Sequence, residues 1–254
     1  MSIRPSAEPA AVDPDLFRGI DLLCLDAGNT VVFLDHARLS RICRVAGFET
    51  TTDALIHAEG EAKHAQERGA LLEFEWSGSA APSARAWGAF VATMMVSAGV
   101  PRVGVRAGVE AAWIEHGRRN LWSLVPEGLV SALDQARAAG VRIAIVSNSE
   151  GKLVTLLNDV GVLGSVDVVV DSGVVGVQKP DPRIFQIALE HVNIPASRAL
   201  HLGDVYVTDV VGARSAGLRA ALVDPLGHLA GRHLDVPRVP GAAAVLRAMA
   251  AARG

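Results

Sequence analysis

"IDLLCLDAGNT", residues 20–30, carries an apolar run, Leu22 to Leu25, straight into an acid, Asp26, and then into Gly28, Asn29 and Thr30. Continuous rather than alternating hydrophobicity marks a strand buried on both faces, as in parallel sheets covered by helices. The run predicts a strand ending at about Leu25. Its terminal carboxylate stands where open parallel sheets gather their ligands, beyond the carboxyl ends of the strands.

Downstream of Pro126 the pattern alternates. A helix "EGLVSALDQARAAG" ends on Gly140 and is followed by a strand "VRIAIVS", a helix "SEGKLVTLLNDVG", a strand "VDVVV" and a helix "PRIFQIALEHV". A strand "RALHLG", a helix from about Thr208 to Gly217 and a strand "RAALV" follow. Such alternation implies a doubly wound, Rossmann-like parallel sheet with helices on both faces, to which the first strand belongs.

Residues 36–120 differ. Leu39, Ile42, Cys43 and Ala46 recur at helical spacing, as do Trp87, Val91, Met94 and Ala98, and Val105, Val109, Ala112 and Trp113. No strand is expected here, and "SGSAAPS" (77–83) and "GVPRVG" (99–104) read as loops. The block is thus an all-helical insertion. The expected division is a disordered leader over 1–17, an α/β core from 18–35 and 121–254, and a helical domain over 36–120.

Of 254 residues half are apolar, and the net charge is −3, which provides no basic field for nucleic acid or an anionic membrane. Two cysteines, Cys24 and Cys43, form neither a disulfide framework nor a zinc cluster and read as small buried hydrophobes. With no apolar signal core at the start and no run near ~18 apolar residues, the expectation is a soluble cytoplasmic protein, monomer or homodimer.

The strand ends collect polar groups in a fixed order. Asp26 ends the first strand; Ser147 ends the second and leads into Asn148; Lys179 lies in the loop "QKPDP"; Asp204 and Asp209 lie in "GDVYVTD". Singly, each is an ordinary cap, turn former or loop residue. Together they can hold a phosphoryl group: a carboxylate attacks, hydroxyl and N–H groups bind the phosphoryl oxygens, an ammonium offsets their charge, and the other acids bind Mg2+.

From about residue 20 to 225 the chain resembles the haloacid dehalogenase-like hydrolases: "LDAGNT", "VSNS", "QKPDPRIF" and "HLGDVYVTDVVGARSAG" match four motifs in order. The resemblance implies a Mg2+-dependent phosphatase acting on a small phosphorylated metabolite. Asp26 would form an aspartyl-phosphate, and Ser147, Asn148 and Lys179 would bind phosphate. Asp26, Asp204 and the Gly28 carbonyl would hold the metal, and Asp209 would join the metal shell or orient the lysine. The helical block would be the family's cap.

One position departs from the phosphatase pattern. Where such enzymes carry a second acid two residues after the nucleophile, this chain has Gly28. A positioned general acid or base contributes roughly 10^2 to 10^4-fold, so turnover should be slow or selective for good leaving groups. Dehalogenases and phosphonatases of the family also lack this acid, and a non-catalytic binder of phosphorylated ligands is the third reading. The retained Asp204 and Asp209 weigh against dehalogenation. Lys63, the candidate Schiff-base lysine for a phosphonatase, reads as part of a solvated helix face. His36, His57, His64 and His116 are candidate substitutes for the missing acid, with His36 foremost, and His201 reads as a satisfied buried histidine.

Overall fold

The computed structural model describes residues 12–77 and 82–254. In chain order it contains β1 (Leu22–Leu25), β2 (Phe33–Leu34), α1 (His36–Val45), α2 (Thr52–Glu67), α3 (Pro82–Ser97), α4 (Arg102–Arg118) and β3 (Trp122–Leu124). There follow α5 (Leu129–Ala138), β4 (Arg142–Ser147), α6 (Leu153–Asp159), β5 (Val168–Asp171), α7 (Ser172–Val175) and α8 (Arg183–Val192). The chain ends with β6 (Ala199–Gly203), α9 (Gly212–Ser215), β7 (Arg219–Val223), β8 (Arg238–Val239) and α10 (Ala242–Ala251). Two compact units result: the described residues up to Phe33 with Leu124–Gly254, and Leu34–Ser123.

In the first unit six strands form a parallel sheet in the order β5-β4-β1-β6-β7-β8. β1 is central because all four of its side chains are buried, which only a strand covered on both faces can satisfy. Leu22 and Cys24 join Ala144, Val146 and the α8 residues Ile184, Phe185 and Ala188 in one apolar cluster. α5 packs on β4 and on α10, and Leu129 and Leu133 of α5 and Val245 and Leu246 of α10 are buried. Each fully buried aliphatic side chain of this kind contributes about 1.5–3 kcal/mol. The strand order reverses direction at β1, with β4 on one side and β6 on the other, so the carboxyl ends of these three strands meet at the crevice where doubly wound sheets bind ligands.

Among the described residues the second unit contains four helices, α1 to α4. Leu39, Ile42 and Cys43 of α1, Val91 and Met94 of α3, and Val105, Val109 and Ala112 of α4 form its core, as their spacing predicts. Asp35 caps α1 by accepting the Arg38 N–H at 2.8 Å, and the Arg38 guanidinium donates to the Glu115, Arg119 and Asn120 carbonyls, tying α1 to the end of α4.

Four details differ from the sequence expectation. Part of the expected leader is ordered: Pro14–Leu16 form a 3-10 turn, with Leu16 and Phe17 buried, while residues 1–11 lie outside the described residues. Of the loop expected over 77–83, residues 78–81 lie outside the described residues, and α3 begins at Pro82; α4 begins at Arg102, which shortens the second loop. The helix expected from Thr208 opens instead as a wide π-type turn, Tyr206–Val211, before α9. The sheet gains β8, and β2 pairs with β3 as a two-stranded ribbon.

Candidate active site

Four of the expected side chains meet in the first unit. Asp26 follows β1 directly, its N–H bonded to Leu202 O at 2.8 Å, so the register of β1 on β6 fixes the nucleophile candidate against the fourth-motif strand. The chain then turns sharply, with the Val31 and Val32 N–H groups both bonding Ala27 O at 2.9 Å. Asn29 adopts the left-handed conformation at φ 53°, which Asn tolerates, and its Nδ2 donates to Asp204 Oδ2 at 3.3 Å.

Lys179 is the centre of the arrangement. Its Nζ donates to Asp26 Oδ1 at 2.5 Å and to Asp209 Oδ1 at 2.6 Å, and the side chain is almost wholly buried. Burial alone would lower this ammonium, but Asp209 and Asp26 outweigh it and hold it above the ordinary lysine range. Burial pushes the Asp26 carboxyl up to about 6 against the pull of Lys179, and the charges of Asp209 and Asp204 add to the rise. Asp209 goes the other way: Lys179 and His201 overcome its burial and hold it well below the usual carboxylate range.

Both oxygens of Asp209 are engaged. Oδ1 accepts from Lys179 and meets His201 Nε2 at 3.1 Å, and Oδ2 accepts the Val205 N–H at 2.9 Å. A Cβ at Gly203 would stand 2.2 Å from Asp209 Cγ, so the bare glycine makes room for this carboxylate. Asp209 is thus bonded directly to the Lys179 ammonium.

The second-motif loop is shaped from below. Asp171, at the end of β5, accepts the Gly151, Leu153 and Gly173 N–H groups, and Ser172 exchanges hydrogen bonds with Ser149. Gly173 lies so close beneath that a Cβ would sit 2.5 Å from Gly151 N. Ser147, buried, ends β4 at the head of this loop. Asn148, expected to bind phosphate, uses its side chain otherwise: Oδ1 accepts the Lys179 N–H at 2.8 Å and Nδ2 donates to Lys179 O at 3.0 Å. The amide thus positions the lysine backbone.

The expected metal ligands are consistent with a hard divalent cation. Asp26, Asp204 and the Gly28 carbonyl offer oxygen only; the Lys179 ammonium is shared by Asp26 and Asp209, and the charge of Asp204 acts on Asp26 as well. Among the described residues no three His, Cys, Asp or Glu side chains gather as a self-sufficient metal cage. Two carboxylates and a carbonyl, completed by water, are a usual Mg2+ arrangement.

Other expectations are revised. Lys63 does not lie on a solvated face: it is buried beside Glu59 at 3.6 Å, and His36 Nε2 meets the other Glu59 oxygen at 2.8 Å. The apolar row Leu55, Ala58 and Ala62 runs beside Glu59 and Lys63 and carries them inward. His57 is exposed, and His64 and His116 are half-buried. His201 is only half satisfied: Nδ1 is buried without a partner among the described residues. Sequence reading missed Asn29, Asp171 and the role of His201; Asn29 had one visible signal, its place between a strand-end glycine and Thr30. Cys24 is an inert core thiol, its pKa pushed up to about 12 by burial.

A family model described as "Hydrolase: haloacid dehalogenase-like hydrolase" matches residues 20–217. Among curated proteins, the haloacid dehalogenase-like hydrolase domain-containing protein 3 of Bos taurus is 30% identical over 80% of this chain and 81% of its own length. The zebrafish protein of the same name (Danio rerio) is 39% identical, but over 42% of this chain and 44% of its own length, so the matched stretch spans less than half of that relative. A phosphoserine phosphatase of Thermus thermophilus is 37% identical over 42% of this chain and 43% of its length. The HAD hydrolase YfnB of Bacillus subtilis, solved bound to magnesium, shares the fold at TM-score 0.58, with 19% identity, covering 87% of this chain and 95% of its own.

Proposed function

Because the chain belongs to the haloacid dehalogenase-like hydrolase family, we propose that it is a Mg2+-dependent phosphatase of a small phosphorylated metabolite, acting through an aspartyl-phosphate on Asp26. The observation that carries this reading is the buried Lys179 ammonium held between Asp26 and Asp209, with Asp204 beside them. A phosphoryl group brings negative charge to this place, and the ammonium and the polar second-motif loop are what it requires. Relatives named as phosphatases, the Thermus phosphoserine phosphatase among them, support the same reading.

In the proposed reaction an Asp26 oxygen forms a bond to phosphorus as the ester P–O bond breaks. Ser147 and the Asn148 backbone N–H bind the phosphoryl oxygens, and Lys179 neutralises them. Water then attacks phosphorus, releasing inorganic phosphate and restoring the carboxylate. Asp26, Asp204 and the Gly28 carbonyl would hold Mg2+, which supplies further positive charge to the phosphoryl group when bound. Gly28 has no side chain to protonate the leaving oxygen, so that proton comes from water, and esters with good leaving groups react fastest. The helical unit, read as the family's cap, selects the substrate.

The test is a panel of aryl and alkyl phosphate esters, a phosphonate and a 2-haloacid, each with and without Mg2+. The expected result is metal-dependent phosphate release, fastest from aryl phosphates and absent in Asp26→Asn. Halide release without metal, or phosphate release undiminished in Asp26→Asn, would overturn the proposal.

A further inference from the structure

β6 carries a histidine in the middle of an otherwise apolar run, Ala199, Leu200, His201, Leu202, and every one of these residues is fully buried. A ring placed there for packing alone would serve better as Leu or Phe, because a buried polar atom without a partner costs about 1–3 kcal/mol. His201 bears that cost: its Nδ1 has no partner among the described residues. The ring is held edge-on to Phe185, with centroids 4.9 Å apart. Its other nitrogen reaches Asp209 Oδ1 at 3.1 Å. An ionised carboxylate only accepts, so the proton is assigned to Nε2 and the lone pair to Nδ1. Burial lowers the ring's pKa, in keeping with the neutral form beside an ammonium.

Asp209 Oδ1 thus receives two donors, His201 Nε2 and Lys179 Nζ. The Val205 N–H pins the other oxygen, and the bare Gly203 leaves the carboxylate pressed against the strand. The His201 donor, mounted on a fully buried strand, restrains the same Oδ1 that the Lys179 ammonium uses, so that oxygen is held from the sheet as well as by the lysine. The Asn148 amide fixes the lysine backbone, so the ammonium is located from both ends.

We propose that His201 is a positioning residue of this site: through Nε2 it fixes the Asp209 oxygen that in turn holds the Lys179 ammonium beside Asp26. The proposal rests on the phosphatase reading for its kinetic consequence, though not for its structural one. A ligand-orienting partner of this kind typically accounts for roughly 10- to 100-fold in activity.

The experiment compares His201→Leu with His201→Gln, whose side-chain amide can offer a donor where Nε2 lies, using p-nitrophenyl phosphate with Mg2+, thermal unfolding, and crystal structures of both variants. The Leu variant should lose roughly 10- to 100-fold in kcat while its thermal midpoint holds or rises, since the orphaned Nδ1 is gone. Its Lys179–Asp209 contact should open, and the Gln variant should recover most of the rate and keep the contact. An intact contact in the Leu variant would overturn the proposal, as would a lowered midpoint with kcat per folded molecule unchanged. Should the wild type release phosphate from no ester, the phosphatase reading falls, and the two crystal structures still decide the role of His201.

Discussion

The two units each bury a charged cluster, and the clusters are opposite in kind. In the sheet unit one ammonium, Lys179, is shared by Asp26 and Asp209, with Asp204 near. In the helical unit one carboxylate, Glu59, lies between His36 and Lys63. Burying charge is expensive, and a buried ion pair is seldom a net source of stability over an apolar one. A cluster weighted toward acid is therefore poor as a scaffold and good as a receptor for cations and for chemistry that a carboxylate performs. The lysines differ in the same sense: Lys179 makes hydrogen bonds of 2.5 and 2.6 Å to its carboxylates, whereas Lys63 stands 3.6 Å from Glu59, whose short contact, at 2.8 Å, is with His36.

Removing the central group of the sheet cluster should have the largest effect on stability. Lys179→Met leaves buried carboxylates without their cation, a loss of about 3–5 kcal/mol, and Mg2+ should recover part of it. Lys63→Met should cost less, because its ion pair is longer. Urea unfolding of both variants, with EDTA and with Mg2+, checks this; equal losses unaffected by metal would erase the distinction between the clusters.

The next effect comes from the metal itself. At a hundred times its Kd, Mg2+ should stabilise the wild type by about 2.7 kcal/mol and Asp26→Asn far less. Without metal the Asp26 carboxylate is a penalty that grows with pH. The folded Asp26 value, about 6, lies above its ordinary 3.8, so ionising Asp26 opposes folding. That penalty is absent below about pH 4 and complete above about pH 6. In EDTA, then, the stability of Asp26→Asn relative to wild type should climb between these limits and level off. A difference independent of pH would mean that Asp26 does not feel the buried acids around it.

Much of this was legible in advance, for reasons particular residues make plain. β1 and β4 to β7 announce themselves as apolar runs, and the acids and lysine at their ends fall in motif order. β8 could not be read, since two residues between prolines carry no period. Neither could the partners of the polar side chains. Alternation places His201 inside a strand but says nothing of Asp209 eight residues on, and no spacing rule links Asn148 to the Lys179 backbone. Lys63 was misread because "EGEAKHAQER" looks like a solvated face; His36, far away in sequence, is what completes its cluster.

The helical cluster can be tested through its own reporters. All four tryptophans, Trp76, Trp87, Trp113 and Trp122, lie in the helical unit, with Trp87 and Trp113 ring centroids 5.0 Å apart. Glu59→Gln keeps the shape and removes the charge that His36 and Lys63 share, which should cost about 1–3 kcal/mol. Tryptophan fluorescence should register that loss, and an unmoved midpoint would show that Glu59 contributes nothing to holding the helices.

The smallest expected change is the most informative about chemistry. Gly28 is half-buried, two residues after the Asp26 carboxylate. Gly28→Asp would place an acid two residues after Asp26, where it can protonate a leaving oxygen and then activate water. Turnover of alkyl phosphates, whose leaving oxygens need that proton, should rise about tenfold, while aryl phosphates change little. The gain carries a penalty that follows from the cluster's sign: one more carboxylate in a site already weighted toward acid pushes Asp26 further up unless a cation is present. The Mg2+ dependence of the variant should accordingly be steeper than that of the wild type. An equal gain on alkyl and aryl esters would mean that proton transfer to the leaving group is not what Gly28 limits, and a shallower Mg2+ dependence would mean that the new carboxylate does not face the acids of the sheet cluster.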